Sequence, residues 1–208
     1  MLHTISIRHF LKRSACGLLL LLPTWACHRE DTTILPADVQ LQAGDIVFRQ
    51  GESVASHAVL SADRAGCYSH IGIVVDSCGQ PMIVHAVPDE HDFEGDFDRI
   101  KMDRPDEFFL QSRAAIGEVM RPKAGLHAQQ AAQTALRLYR QKLPFDHEYD
   151  DSDSTEMYCT ELILYAYHSV GVDLAAGPRD HFNFPIDFDG YLPSAIHASP
   201  LLESIRVF

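Results

Sequence analysis

The sequence predicts a single domain that mixes β-strands with α-helices. Two observations predict it: four apolar runs of strand length lie before residue 121, and two patterns of helical period follow residue 125. A third sets the scale. With 208 residues, 46% hydrophobic, and only 12 Gly and 11 Pro, the chain has an ordinary globular composition and is long enough to bury a core without staples.

The N-terminus departs from that composition. Arg8, Lys12 and Arg13 precede an apolar run from Ala15 to Leu22, and Thr24 and Ala26 are small residues at alternate positions before Cys27. A basic start, a short apolar stretch and a small-residue exit predict an export signal over residues 1–26, too short to span a bilayer. Its removal takes Arg8, Lys12 and Arg13 away, so the formal charge moves from −12 to −15. With 17 Lys plus Arg against 29 Asp plus Glu, the balance excludes nucleic acid as a partner. Cleavage after Ala26 would leave a soluble periplasmic chain; Cys27 also looks like the acceptor cysteine of a bacterial lipoprotein, with Thr24 where that signal usually has Leu. Membrane anchoring through a lipidated Cys27 is the expectation.

Residues 27–40 are polar and irregular and read as a tether to a body over 41–208. The first strand is Ile46-Val-Phe; a short helix follows around Ser53–Ser61. Two strands, 70–75 and 82–86, flank the Gly79-Gln-Pro turn, and 116–120 is another. Residues 89–107 carry Asp92, Glu94, Asp96 and Asp98 and read as an acidic surface loop. Ala128, Ala131, Ala132, Ala135, Leu136 and Tyr139 recur at helical spacing until Pro144, and a second helix starts near Tyr158. Pro178, Pro185, Pro193 and Pro200 argue against regular structure near the C-terminus.

Export permits disulfides, yet Cys67 and Cys78 bracket the strand run Ile71–Val75, too far apart for a bridge unless the chain folds back. Cys159 is then a free thiol at the start of a helix. Backbone N–H groups and the helix dipole there stabilise a thiolate and can receive an oxyanion, although a helical cysteine is by default a small core residue. A thiolate needs a base. Of ten histidines after residue 26, His70 opens an apolar strand that can hold an imidazole rigidly, and His85 sits inside the next strand, where it can orient His70. Spacing alone suits a hydrogen-bonded core histidine equally well.

Leu41-Gln-Ala-Gly-Asp-Ile-Val-Phe, Tyr68-Ser-His-Ile-Gly-Ile-Val-Val, Ile83-Val-His-Ala-Val, Leu143-Pro-Phe-Asp and Tyr158-Cys-Thr-Glu-Leu-Ile stand in this order. Together they resemble the YiiX/YebB branch of the NlpC-type papain-like cysteine hydrolases over roughly residues 41–175. The resemblance implies an α+β fold of circularly permuted papain type, with an antiparallel sheet against helices and the nucleophile at a helix N-terminus. It implies Cys159 as nucleophile, His70 as general base, and a third polar group at His85. That branch usually carries glutamate there. Imidazole can orient His70 but lacks the carboxylate charge, and Asp89 or Glu90 nearby are alternatives.

Two metal readings are weaker. His85, Asp89, Glu90, His91 and Asp92 match no ligand motif, and the run Asp146–Asp153 lacks the glycine and closing glutamate of a calcium loop. The expectation is therefore an exported cysteine hydrolase needing no cofactor or metal, cleaving an amide in a cell-wall peptide through a thioacyl enzyme. The alternatives are an ester or thioester hydrolase of acyl lipids, and a binding module in which His85 marks decayed catalysis.

Overall fold

The computed structural model describes residues 31–183 and 188–208, so the expected export signal and Cys27 lie outside the described residues. Among the described residues eight strands and five helices follow one another. In chain order these are β1 (Ile46–Gln50), α1 (Val54–Ala62), β2 (His70–Ser77), β3 (Gln80–Val87), β4 (Arg99–Asp103), α2 (Pro105–Phe108) and β5 (Ile116–Pro122). Then come α3 (Ala128–Gln141), α4 (Cys159–His168), β6 (Asp180–Phe182), β7 (Phe188–Gly190), α5 (Pro193–His197) and β8 (Leu202–Val207). Six strands form one antiparallel sheet in the order β4-β3-β2-β1-β5-β8, and β6 pairs with β7 in a small hairpin. The fold class is α+β.

Both faces of the sheet are covered, which is why β1 and β2 read as continuous apolar runs rather than alternating ones. Ile46, Phe48, Ile71, Ile73, Val75, Val84 and Ala86 point to the face that packs α3 and α4. The alanines of α3 buried there, Ala131, Ala132 and Ala135, keep that helix close to the strands. In α4 the side chains of Leu162, Ile163, Ala166 and Tyr167 are buried, and the Tyr167 hydroxyl donates to the Gly44 carbonyl at 2.6 Å.

Val47, Val74, Ile83 and Val119 point the other way, onto Phe108 and Phe109. The segment expected as a tether contributes here: Ile34, Leu35, Val39 and Leu41 pack on this second face, and Ile34 N–H donates to the Phe109 carbonyl at 2.8 Å. Gly72 permits close packing on this side, since a Cβ there would come within 2.7 Å of the Ile83 side chain.

Two expectations are corrected. The stretch 89–107 is not all loop, for it contains β4 and the start of α2 at Pro105. In β4 the apolar Ile100 and Met102 alternate with Arg99, Lys101 and Asp103; Lys101 and Asp103 are buried and Arg99 half-buried, and these charges pair with one another and with Asp92 and Asp96. The proline-rich end also holds regular structure, because β8 begins after Pro200 and draws its backbone hydrogen bonds from β5.

Candidate active site

The site forms where two strands part. β2 pairs with β3 from Ile73–Val84 to Ser77–Gln80, while His70–Gly72 and His85–Val87 at the other end are not paired to each other. Val74 N–H donates to Asp45 on the β1 side, so by antiparallel alternation the amides of residues 71, 73 and 75 face β3. Ile71 N–H therefore points into the gap. The N-terminus of α4 fills it, and this amide donates to the Cys159 sulfur.

A cleft of about 290 Å³ opens over the gap, lined by both Cys159 and His70. Its walls come from the first turn of α1, the turn Pro88–Glu90 after β3, and the rings of Phe145 and Tyr149. Burial pushes the Cys159 thiol up to about 11. The amides of Thr160, Ile71 and Cys159 itself, and the Arg49 guanidinium, pull it down without prevailing. The helix terminus thus acts on the thiol in the expected direction, but desolvation is the larger effect and the resting sulfur is protonated.

His70 is buried, and burial followed by the nearby charges of Arg49, His85 and Lys101 holds its pKa well below the ordinary histidine value. Its Nε2 lies 2.8 Å from His85 Nδ1, so Nδ1 is the ring nitrogen left for other work. His85 is wholly buried (0% exposed), with its edge toward the Phe108 ring. Burial lowers its pKa too, although the Asp103 carboxylate opposes that shift. His85 Nε2 lies 3.2 Å from Asp103 Oδ2.

Sequence reasoning placed Cys159, His70 and His85, and the structure brings His70 and His85 into contact and places His70 and Cys159 in one cleft. It misplaced the carboxylate. Glu90 lines the cleft but pairs with Arg49, and Asp89 meets no histidine, its backbone N–H donating to Asp98 Oδ1; the acid that meets the histidines is Asp103. Arg49, Lys101 and Arg113 were missed as well. They enclose Asp103 and Glu90 in an ionic network in which Arg49, Lys101 and Asp103 are buried and Arg113 and Glu90 half-buried, with Arg113 Nη1 at 3.1 Å and Lys101 Nζ at 3.2 Å from Asp103 oxygens. The available signal was the two-residue alternation Arg99-Ile-Lys-Met-Asp, which marks a strand inside an acidic stretch. The acidic run after Phe145 is a series of turns, in which Asp146 accepts from the amides of Glu148 and Asp150.

Fold and site together define an α+β chain with a half-buried thiol and a buried histidine pair at the splayed end of an antiparallel sheet. Among solved structures it is similar to that of the metalloprotein YiiX from Escherichia coli O157:H7, with a TM-score of 0.64 and 23% identity over 81% of this chain and 98% of that one. No family model and no curated protein matches the sequence.

Proposed function

We propose that this protein is an exported cysteine hydrolase on a circularly permuted papain-like scaffold of the NlpC-type, YiiX/YebB branch. The observation that carries the reading is the placement of Cys159 at the α4 N-terminus in the cleft that His70 also lines, with the far nitrogen of His70 held by His85. As the sulfur attacks a carbonyl carbon, His70 Nδ1 takes the thiol proton, and the amides at the start of α4 face the developing oxyanion. The leaving group departs with that proton, giving a thioacyl enzyme that water hydrolyses with His70 again as base. An amide in a cell-wall peptide is the substrate this reading favours.

A second reading, an ester or thioester of an acyl lipid, is supported by the cleft rim. No residue of α1 is buried, and Val54 at its start, 88% exposed, lines the cleft together with Ala55, Val59, Val87 and Phe145. Apolar side chains framing a catalytic cleft suit a substrate with a hydrocarbon chain.

YiiX is called a metalloprotein. Among the described residues no three of His, Cys, Asp and Glu are grouped to hold an ion. His70, His85 and Asp103 direct their facing atoms at one another rather than at a common point. They do not fit a metal ion.

The test incubates the mature chain with a digest of bacterial cell wall and, separately, with lipid extract, and reads products and the mass of the Cys159 peptide. An acyl adduct on Cys159, lost with product formation in Cys159→Ser, is the expected result, and the extract that yields it chooses the substrate class. Absence of product and adduct from both would favour the binding module.

A further inference from the structure

We propose that Asp103 is a positioning residue of this site, setting through His85 which nitrogen of His70 carries the hydrogen. The proposal rests on the reading of Cys159 and His70 as nucleophile and base.

The contacts run in one direction. An ionised carboxylate only accepts hydrogen bonds, so the 3.2 Å contact between Asp103 Oδ2 and His85 places the ring hydrogen of His85 on Nε2. A neutral imidazole then has its lone pair on Nδ1. That atom lies 2.8 Å from His70 Nε2, so His70 must donate from Nε2 and keeps its own lone pair on Nδ1. Nδ1 is the nitrogen left to receive a thiol proton. The opposite tautomer would present an N–H there and could accept nothing.

Two conditions must hold, and the surroundings meet both. Asp103 must be ionised: burial opposes this, but the His85 hydrogen bond and the Lys101 ammonium hold its carboxyl well below the ordinary range. The rings must be neutral: burial and the cations Arg49 and Lys101 disfavour protonating His70, and burial and Arg49 disfavour it at His85. The charged or titratable groups facing the pair are Arg49 from β1, Asp103 and Lys101 from β4, Glu90 after β3, and Cys159 from α4 across the cleft; α2 offers only the Phe108 ring. Arg113 completes the ion pairing of Asp103. A carboxylate one imidazole removed from the base thus supplies the orientation that a glutamate at position 85 would give directly.

The tautomers are measurable without a substrate. Long-range proton–nitrogen correlation spectra of nitrogen-15-labelled histidine at pH 8 should show hydrogen on Nε2 of both His70 and His85. Asp103→Leu, similar in size and unable to accept, should shift both rings toward Nδ1–H, and Asp103→Glu should restore Nε2–H. On a turned-over substrate, Asp103→Leu should lower kcat by about a hundredfold or more while KM moves little, as misorienting the base of a triad does. Hydrogen on Nδ1 of either ring in the wild-type chain overturns the proposal, as do unchanged tautomers in folded Asp103→Leu. Should that variant not fold, the wild-type spectrum decides alone. Correct tautomers in a chain that turns over nothing would instead sink the hydrolase reading.

Discussion

At the residue scale the Cys159 thiol and the His70 ring rest as a neutral pair, because burial raises one pKa and lowers the other. The proposed mechanism requires a protonated thiol and an unprotonated His70. Activity should therefore rise as pH passes the depressed His70 value below 6.5, stay level from pH 7 to 9, and fall only as the thiol ionises near 11. Without substrate, alkylation of Cys159 by iodoacetamide should be slow at pH 7 and speed up about tenfold per pH unit, following the thiolate fraction. A fast rate independent of pH would mean a preformed ion pair. The geometry also sets the sign for His85. Glutamate there would face Asp103, since His85 Nε2 is only 3.2 Å from that carboxylate. Two adjacent buried carboxylates cannot both ionise easily, so His85→Glu alone should lower turnover, and adding Asp103→Asn should recover much of the loss. Steady-state kinetics of both variants, corrected for folded protein, would settle this.

At the element scale, α4 opens on a carboxylate that costs stability. Glu161 accepts from Tyr158 N–H at 3.3 Å, and burial, reinforced by Asp146, Asp151 and Asp153, pushes its pKa up to about 8. A pKa raised above the unfolded value means that its contribution is fully present below about pH 4.5 and is lost as pH rises through 8. Glu161→Gln keeps an acceptor for Tyr158 without the charge. It should stabilise the fold by on the order of 2–4 kcal/mol at pH 8 and by little at pH 5, as read from urea midpoints. Equal midpoints at both pH values would show that the carboxyl is not penalised. The neighbouring elements explain why this terminus is needed where it is: unpairing β2 from β3 leaves the Ile71 amide without a strand partner, and the Cys159 sulfur takes its hydrogen.

For the whole molecule, His70, His85 and Asp103 lie in one buried array, all with pKa values depressed in the folded state. Depressed values favour the folded state above the unfolded pKa, and that contribution is lost as pH falls. Stability should decline below about pH 6.5 as the unfolded chain takes up histidine protons, by about 1.4 kcal/mol per pH unit for each ring. Asp103 adds a further loss below about pH 4. His85→Leu should remove roughly one proton from the slope measured between pH 6 and 5 by urea unfolding. An unchanged slope would mean that His85 already binds its proton in the folded chain.

Much of this was legible in one dimension. The apolar runs of β1, β2, β3 and β5, the alanine period of α3 and the start of α4 follow from local pattern, because each buries a face set by its own periodicity. Cys159, His70 and His85 were identifiable because a thiol at a helix start and histidines in apolar strands are chemically conspicuous. Asp103 was not. Its stretch is rich in charge, and a sequence cannot tell a solvated acid from one buried against Lys101 and Arg113, since that difference lies in partners from other segments. The same holds for the state of the thiol. Local sequence supplies the helix N-terminus that lowers its pKa, whereas the burial that raises it further comes from packing β2 and β3 around it. Periodicity and residue chemistry are properties of the chain, but desolvation and charge pairing depend on which distant segments meet, and only the tertiary structure decides that.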